Sequence, residues 1–225
     1  MSRQRAQQLA SEFLACAEPT GWFEVLYAEA GSNYAAVPWA DLTPNPNLVD
    51  WVTKHNLVGR GSTALKIGCG YGDDAEFLAG LGFQVVAFDI SPTAISECKR
   101  RFPNSHVFYQ VADLLEPPDT WFKGFNFVLE SYTLQVLPPE LRVIAISNIS
   151  NFVAPSGQIL VIARGREESD SPGEMPYPLT RRELELFDRL GLRSQAFEDY
   201  FDTESPPVRR FRVLYTASNV MLSGT

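Results

Sequence analysis

The chain has 225 residues, of which 45% are hydrophobic and 20% charged, so it is long and apolar enough to bury the core of one α/β domain. Its formal net charge of −8 gives no gain from counterion release on a polyanion, which argues against nucleic-acid binding. Three widely spaced cysteines without a CxxC pair argue against a disulfide scaffold or a metal site, and no apolar run is long enough to span a membrane, so we expect a cytoplasmic protein.

The first part of the chain favours helices without strands. Amphipathic patterns predict helices over about 3–17, 22–30 and 48–55, separated by segments rich in proline, glycine and asparagine. Because no strand pattern alternates with these helices, we expect residues 1–58 to form a helical cap. This cap belongs to the same domain as the predicted core, residues 59–225.

From residue 63 onward, strand and helix patterns alternate. Strands are predicted at about 63–67, 84–88, 107–111, 125–130 and 157–163, and helices at about 73–81, 92–102, 139–152 and 180–190. Two later strand patterns, 192–201 and 208–217, are close enough to pair as an antiparallel hairpin at one sheet edge. The predicted fold class is α/β and Rossmann-like: a mostly parallel seven-stranded sheet with helices on both faces, which binds ligands at the carboxyl ends of its strands.

A glycine-rich segment follows the first predicted strand. Gly68, Gly70 and Gly72 let the chain turn sharply and let a ligand approach the main chain. A dinucleotide fingerprint would place glycine where this chain has Asp73, which Asp74 follows. Two carboxylates disfavour a pyrophosphate and favour a cationic nucleoside without phosphate, such as S-adenosylmethionine. Both acids could also cap the next helix and complement its dipole.

Two further acids end the next predicted strands. Asp89 follows Gly68 by about 20 residues, a spacing that places its carboxylate beside the loop, where it can accept both hydroxyls of a ribose. Alternatively, Asp89 caps the helix that starts at Pro92. Asp113 ends the third strand, where an acid can accept a hydrogen bond from an adenine amino group, although it could also be a solvated loop acid.

The end of the fourth predicted strand carries two candidate acceptor-positioning residues. Glu130 and Tyr132 would project where the transferred group meets its acceptor. The alternative is that Tyr132 packs in the core and Glu130 faces water.

Several of these segments resemble the successive motifs of class I S-adenosylmethionine-dependent methyltransferases. The motifs cover residues 63–165 and comprise Gly68-Cys69-Gly70-Tyr71-Gly72, Asp89-Ile90-Ser91, Ala112-Asp113-Leu114 and Ala154-Pro155-Ser156-Gly157. Pro38-Trp39 and Pro176-Tyr177-Pro178-Leu179-Thr180 are similar to the branch that contains thiopurine, thiol/halide and tellurite-resistance methyltransferases.

The resemblance implies S-adenosylmethionine as cofactor. The contacts that it implies come from Trp39, Gly68, Cys69, Gly70, Asp73, Asp89, Ile90, Asp113, Leu114 and Glu130. In the branch, the tryptophan after the proline lies against the cofactor, where an indole face attracts a sulfonium by a cation–π interaction. Trp39 could instead simply fasten the cap to the core.

Two residues depart from the family pattern. Most class I members have an acid where this chain has Lys66, so the methionine ammonium needs another partner, for which Asp73 or main-chain carbonyls are available. Asn126 replaces the commoner acid at the start of the fourth strand, which argues against carboxylate catalysis there.

Methyl transfer from a sulfonium is an in-line displacement that mainly requires alignment and exclusion of water. The chain has two histidines, His55 and His106, and neither lies in a recognised acceptor motif. A soft, already deprotonated acceptor needs no strong base, so we predict a methyltransferase for a small molecule such as a thiol. The alternatives are an O- or N-methyltransferase in which Glu130 or Tyr132 takes a proton, a non-catalytic nucleoside-binding protein, and, less favoured, a Rossmann oxidoreductase.

Overall fold

The N-terminal part of the chain is helical, as predicted. A computed structural model describes residues 2–218, and its first helices are α1 (Ser2–Ala15), α2 (Trp22–Ala30) and α3 (Pro46–His55). Helix α3 begins two residues before the predicted start because the Asn45 side chain accepts a hydrogen bond from the amide of Asn47.

Strands and helices alternate in the middle of the chain. The elements are β1 (Thr63–Ile67), α4 (Asp73–Gly80), β2 (Gln84–Asp89), α5 (Pro92–Arg101), β3 (Phe108–Val111), β4 (Phe125–Ser131), α6 (Pro139–Phe152) and β5 (Val153–Arg164). At the start of α5, Pro92 occupies the first turn and the Ser91 hydroxyl accepts from the amide of Ala94. The longest helices, α1 and α6, have 14 residues each, and none among residues 2–218 has the length and apolarity that a membrane crossing requires.

The C-terminal part forms the predicted hairpin. It contains α7 (Arg181–Leu184), α8 (Leu186–Arg189), β6 (Leu192–Phe201) and β7 (Arg209–Ala217). The helix predicted over 180–190 is two short helices, interrupted only at Glu185, which keeps helical angles of φ −60° and ψ −14°. A capping box between Thr180 and Glu183 fixes the start of α7.

The seven strands form one sheet in the order β3-β2-β1-β4-β5-β7-β6. β2 pairs parallel with β3 and β4 parallel with β5, whereas β7 is antiparallel to both β5 and β6. The predicted fold class is therefore confirmed. Strand β5 starts earlier than predicted because the turn at 155–157 is a bulge within it: the register shifts between Phe125 and Phe127, and Ser156 has φ +60°.

Contacts divide the chain into two compact units. One comprises the residues up to Gly61 together with Lys66–Asp113, and we call it the glycine-loop unit. The other comprises Ser62–Leu65 and the residues from Leu114 onward, and we call it the hairpin unit. The predicted cap lies in the glycine-loop unit, and the boundary at residue 58 stays a prediction.

Candidate active site

The loop between β1 and α4 has a conformation that requires glycine. Gly68, Gly70 and Gly72 have φ of +55°, +53° and +95°, a region that other residues rarely adopt. A Cβ atom on Gly72 would lie 2.7 Å from the Tyr109 hydroxyl, and one on Gly70 would lie 3.2 Å from the Tyr27 hydroxyl. Strand β3 and helix α2 therefore pack directly against the main chain of this loop.

Asp89 fastens the loop to the end of β2. Its Oδ2 accepts from the Gly70 amide at 2.9 Å, and its Oδ1 accepts from the Ser91 amide at 3.0 Å. Burial raises the pKa of Asp89, and the two amide bonds oppose that shift. Each carboxylate oxygen can accept two hydrogen bonds, so both amides leave capacity for the hydroxyls of a ligand. The structure places Asp89 beside the loop, and its ribose role stays a prediction.

The acids Asp73 and Asp74 both have cationic neighbours. Arg101 binds Asp73 through two hydrogen bonds of 2.7 and 2.8 Å. The Lys66 ammonium lies 3.8 Å from Asp74, which also accepts from the Asn45 amide at 2.8 Å. Because these cations balance the two carboxylates, Asp73 and Asp74 repel a pyrophosphate less than the sequence alone suggests. Their role toward a cofactor cation stays a prediction.

Lys66 supports the glycine loop from inside the protein. Its side chain is buried, and its ammonium donates to the carbonyl of Ile67 at 2.8 Å and lies 3.4 Å from the carbonyl of Gly68. The residue that departs from the family pattern is therefore bound to the loop itself. Cys69 is also buried, which raises the pKa of its thiol, and its amide donates to the Phe88 carbonyl at 2.8 Å.

Trp39 lies against the glycine loop and is also fastened to the helices before it. The indole would contact a Cβ atom on Gly70 at 4.0 Å, and its Nε1 donates to the Tyr27 hydroxyl at 2.8 Å. Its ring also meets the rings of Trp22 and Phe23 edge-on, at 6.0 and 6.2 Å. The two roles considered for Trp39 are compatible, and its contact with a cofactor stays a prediction.

Tyr27 is a site residue that the sequence analysis did not identify. It lies on the buried face of α2, and burial raises the pKa of its hydroxyl well above the usual value. The helical periodicity of α2 indicates that Tyr27 is buried, but it does not indicate which loop the hydroxyl reaches.

The remaining predicted cofactor residues lie at strand ends in both units. In the glycine-loop unit, Ile90 and Asp113 are half-buried, and the Ala112 amide donates to the Asp89 carbonyl at 3.1 Å, which joins the ends of β2 and β3. In the hairpin unit, the buried Leu114 accepts from the Asn148 side chain at 2.9 Å through its carbonyl.

Glu130 organises the chain after β4 in the hairpin unit. Its side chain is fully buried, and its Oε1 accepts from the amides of Thr133 and Leu134 at 2.8 and 2.9 Å. The alternative that Glu130 faces water is therefore wrong. Its carboxylate fixes the short 3₁₀ turn Leu134–Val136, and its role toward an acceptor stays a prediction.

Tyr132 has an unusual backbone conformation. Its φ is +66°, which costs a non-glycine residue about 1–2 kcal/mol and persists only where neighbours hold it. The Tyr132 amide donates to the Ile162 carbonyl at 3.0 Å, and the Arg210 guanidinium lies 4.7 Å from the centre of its half-buried ring. These contacts hold Tyr132 at the carboxyl end of β4.

Residues 64–157 match a family model described as a methyltransferase domain. The chain carries a methyltransferase domain. S-adenosylmethionine is the methyl donor of this domain, and the four predicted motifs lie within the matched residues. No curated protein matches the chain.

Solved structures of similar fold are described by three examples. A structure of the conversion of a disulfide bond into a thioacetal group during echinomycin biosynthesis is 20% identical, covers 89% of this chain and 93% of its own, and has a TM-score of 0.72. The 1,6-didemethyltoxoflavin-N1-methyltransferase of Burkholderia thailandensis is 18% identical over 93% of this chain and 90% of its own, with a TM-score of 0.66. A TehB-like S-adenosylmethionine-dependent methyltransferase from Corynebacterium glutamicum is 21% identical over 87% of this chain and 98% of its own, with a TM-score of 0.62. At these identities the likeness shows a shared fold.

Proposed function

We propose that this methyltransferase acts on a small molecule and transfers the methyl group to a soft nucleophile such as a thiol. The observation that carries the proposal is the environment of Glu130, the acid at the carboxyl end of β4. Its carboxylate is buried and accepts hydrogen bonds from two amides, which stabilise the ionised form but also restrict its movement toward a substrate proton. An acceptor that is already deprotonated does not need this proton transfer.

The two histidines support the same conclusion. His55 lies on α3, where its Nδ1 is 2.9 Å from the Trp51 carbonyl and its ring stacks on the Trp51 indole. His106 is exposed just before β3. A thiol has a pKa of about 8.5, so a few per cent of it is ionised at neutral pH without help from either residue.

The similar structures are compatible with more than one acceptor atom. One is described by a reaction at sulfur and another by methylation at nitrogen. The TehB-like structure agrees with the branch that Pro38-Trp39 suggests, and we propose that branch for this chain. The choice of a thiol therefore depends on the chemistry at Glu130 and not on these neighbours.

A panel of acceptors tests the proposed function. The protein is incubated with S-adenosylmethionine and ethanethiol, phenol or benzylamine, and methylated products are measured by mass spectrometry against reactions without protein. We expect methylation of the thiol, at a rate that increases with pH toward the thiol pKa. Exclusive methylation of the amine or the phenol would contradict the soft-acceptor proposal, and cofactor binding without any product would favour a non-catalytic nucleoside-binding protein.

A further inference from the structure

Strand β7 of the hairpin unit carries two buried arginines on one face. Arg210 and Arg212 are only 1% and 2% exposed, and both point to the same side because side chains alternate along a strand. Arginine is almost never fully buried unless it is paired with an acid. Arg212 has such a partner in Glu198, at 2.5 Å. Arg210 has two acidic partners, Asp202 and Glu204.

The two acids around Arg210 differ in how they are held. Asp202 accepts from the Arg210 Nε at 2.6 Å through Oδ2, and from the amides of Glu204 and Val208 at 3.1 and 3.0 Å through Oδ1. Its side chain is 9% exposed. Burial alone would raise the pKa of Asp202, but the bonds from Val208 and Arg210 lower it, so Asp202 remains ionised at neutral pH. Asp202 is therefore the permanent counter-ion of Arg210.

Glu204 is a second carboxylate on the same guanidinium. It contacts the Arg210 Nη2, yet its side chain is 52% exposed. Since Asp202 already balances the charge of Arg210, Glu204 adds a negative charge that the buried arginine does not need. An exposed ion pair of this kind contributes little to stability, about 0–1 kcal/mol, so a competing carboxylate can replace it at small cost.

The same guanidinium faces the carboxyl end of β4. It lies 4.7 Å from the centre of the Tyr132 ring, and Tyr132 is held there in a left-handed conformation. In open α/β sheets, ligands bind beyond the carboxyl ends of the strands. Arg210 therefore offers a planar hydrogen-bond donor next to an aromatic ring, on the side of the sheet where an acceptor is expected.

We propose that Arg210 binds a carboxylate group of the methyl acceptor, which displaces the carboxylate of Glu204 from Nη2. Glu204 itself demonstrates that a carboxylate fits this position, and on displacement it is hydrated at the surface. The link to methyl transfer rests on the proposed function, whereas the binding site can be tested without it.

Two thiols that differ in one group provide the test. Binding of 3-mercaptopropionate and of 3-mercapto-1-propanol is measured by calorimetry on the protein saturated with S-adenosylhomocysteine, and the KM of each is measured in methyl transfer. We expect the acid to bind about tenfold more tightly than the alcohol. Glu204→Gln removes the competing charge from an exposed residue and should increase the affinity for the acid by about fivefold, with the affinity for the alcohol unchanged.

Glu167→Gln is the matched control. Glu167 is also an exposed acid paired with an arginine of β7, at 2.6 Å from Arg209, and its replacement should change neither affinity. Equal binding of the two thiols, or an equal effect of Glu204→Gln on both, would overturn the inference. Methylation of both thiols without preference would leave the proposed function standing while the inference fails. Preferential binding of the acid without methylated product would support the Arg210 site and contradict the proposed function.

Discussion

The glycine-loop unit and the hairpin unit use charged side chains in different ways. In the glycine-loop unit they bind the main chain: Asp89 accepts from the amides of Gly70 and Ser91, and Lys66 donates to the carbonyl of Ile67. In the hairpin unit the buried Arg210 pairs with other side chains. Main-chain contacts fix the shape of a loop, whereas side-chain pairs can be exchanged for ligand groups. The first arrangement suits a constant cofactor, and the second suits a variable acceptor.

The largest effect is expected from filling the glycine loop. Gly72→Ala places a methyl group 2.7 Å from the Tyr109 hydroxyl at a φ of +95°, so the free energy of unfolding should fall by about 3 kcal/mol, as measured by urea denaturation. Gly80→Ala is the control, because it meets nothing within 4 Å at the end of α4, and we expect it to be neutral or slightly stabilising. Equal stability of the two variants would show that the loop is not held as described.

Removal of the acid at the end of β2 should weaken cofactor binding next. Asp89→Ala removes the acceptor of the Gly70 amide and the predicted acceptor of the ribose hydroxyls. We expect S-adenosylhomocysteine to bind about 2 kcal/mol more weakly, or about thirtyfold, in calorimetric titrations. Asp89→Asn, which keeps one carbonyl oxygen, should lose less. Unchanged affinity in the alanine variant would remove Asp89 from the site.

The hairpin unit should respond to pH through Glu183. Burial alone would raise the pKa of Glu183, but the bonds from Thr180 and Arg142 lower it. Ionised Glu183 therefore stabilises the folded state above its unfolded pKa of about 4.3, and this contribution is lost as the pH falls through the lowered value. Glu183→Gln keeps the capping geometry, and it should cost about 1.5 kcal/mol of unfolding free energy at pH 7.

The difference between wild type and Glu183→Gln should shrink in denaturation curves recorded below about pH 4. The exposed neighbour Glu185 provides the control, since Glu185→Gln should show little effect at either pH. A constant penalty at all pH values would mean that the ionised carboxylate of Glu183 does not contribute to stability.

Trp39 should have the smallest effect, and only on the charged form of the cofactor. Trp39→Phe weakens a cation–π interaction with the sulfonium of S-adenosylmethionine by about 1 kcal/mol, or about fivefold in affinity. S-adenosylhomocysteine has a neutral thioether, so its affinity should change less than that of the sulfonium. If both ligands lose affinity equally, Trp39 acts by packing the cap and not by attracting the positive charge.

Local patterns made much of the glycine-loop unit predictable. The bounds of β1 and the helix starts at Asp73 and Pro92 agree with the sequence, because alternating hydrophobicity, glycine and proline act within a few residues. The fastening of Gly70 by Asp89 also agrees with the predicted spacing. The same residues define the family motifs.

Contacts between distant residues could not be predicted. The pairing of Asp73 with Arg101 joins positions that no local pattern relates, and it changes the charge that the loop presents. The contact of Arg210 with Tyr132 likewise depends on the fold of the hairpin unit. The bulge at Ser156 was read as a turn because the local sequence of a bulge and of a turn is the same there.

The central claim is that the glycine loop and Asp89 bind an adenosyl cofactor without phosphate. Calorimetric titration of the wild-type protein with S-adenosylhomocysteine, repeated in the presence of excess NADH, tests it most directly. The account predicts binding of S-adenosylhomocysteine at one site with an affinity that NADH leaves unchanged. Displacement of S-adenosylhomocysteine by NADH, or no heat of binding from S-adenosylhomocysteine at all, would contradict it.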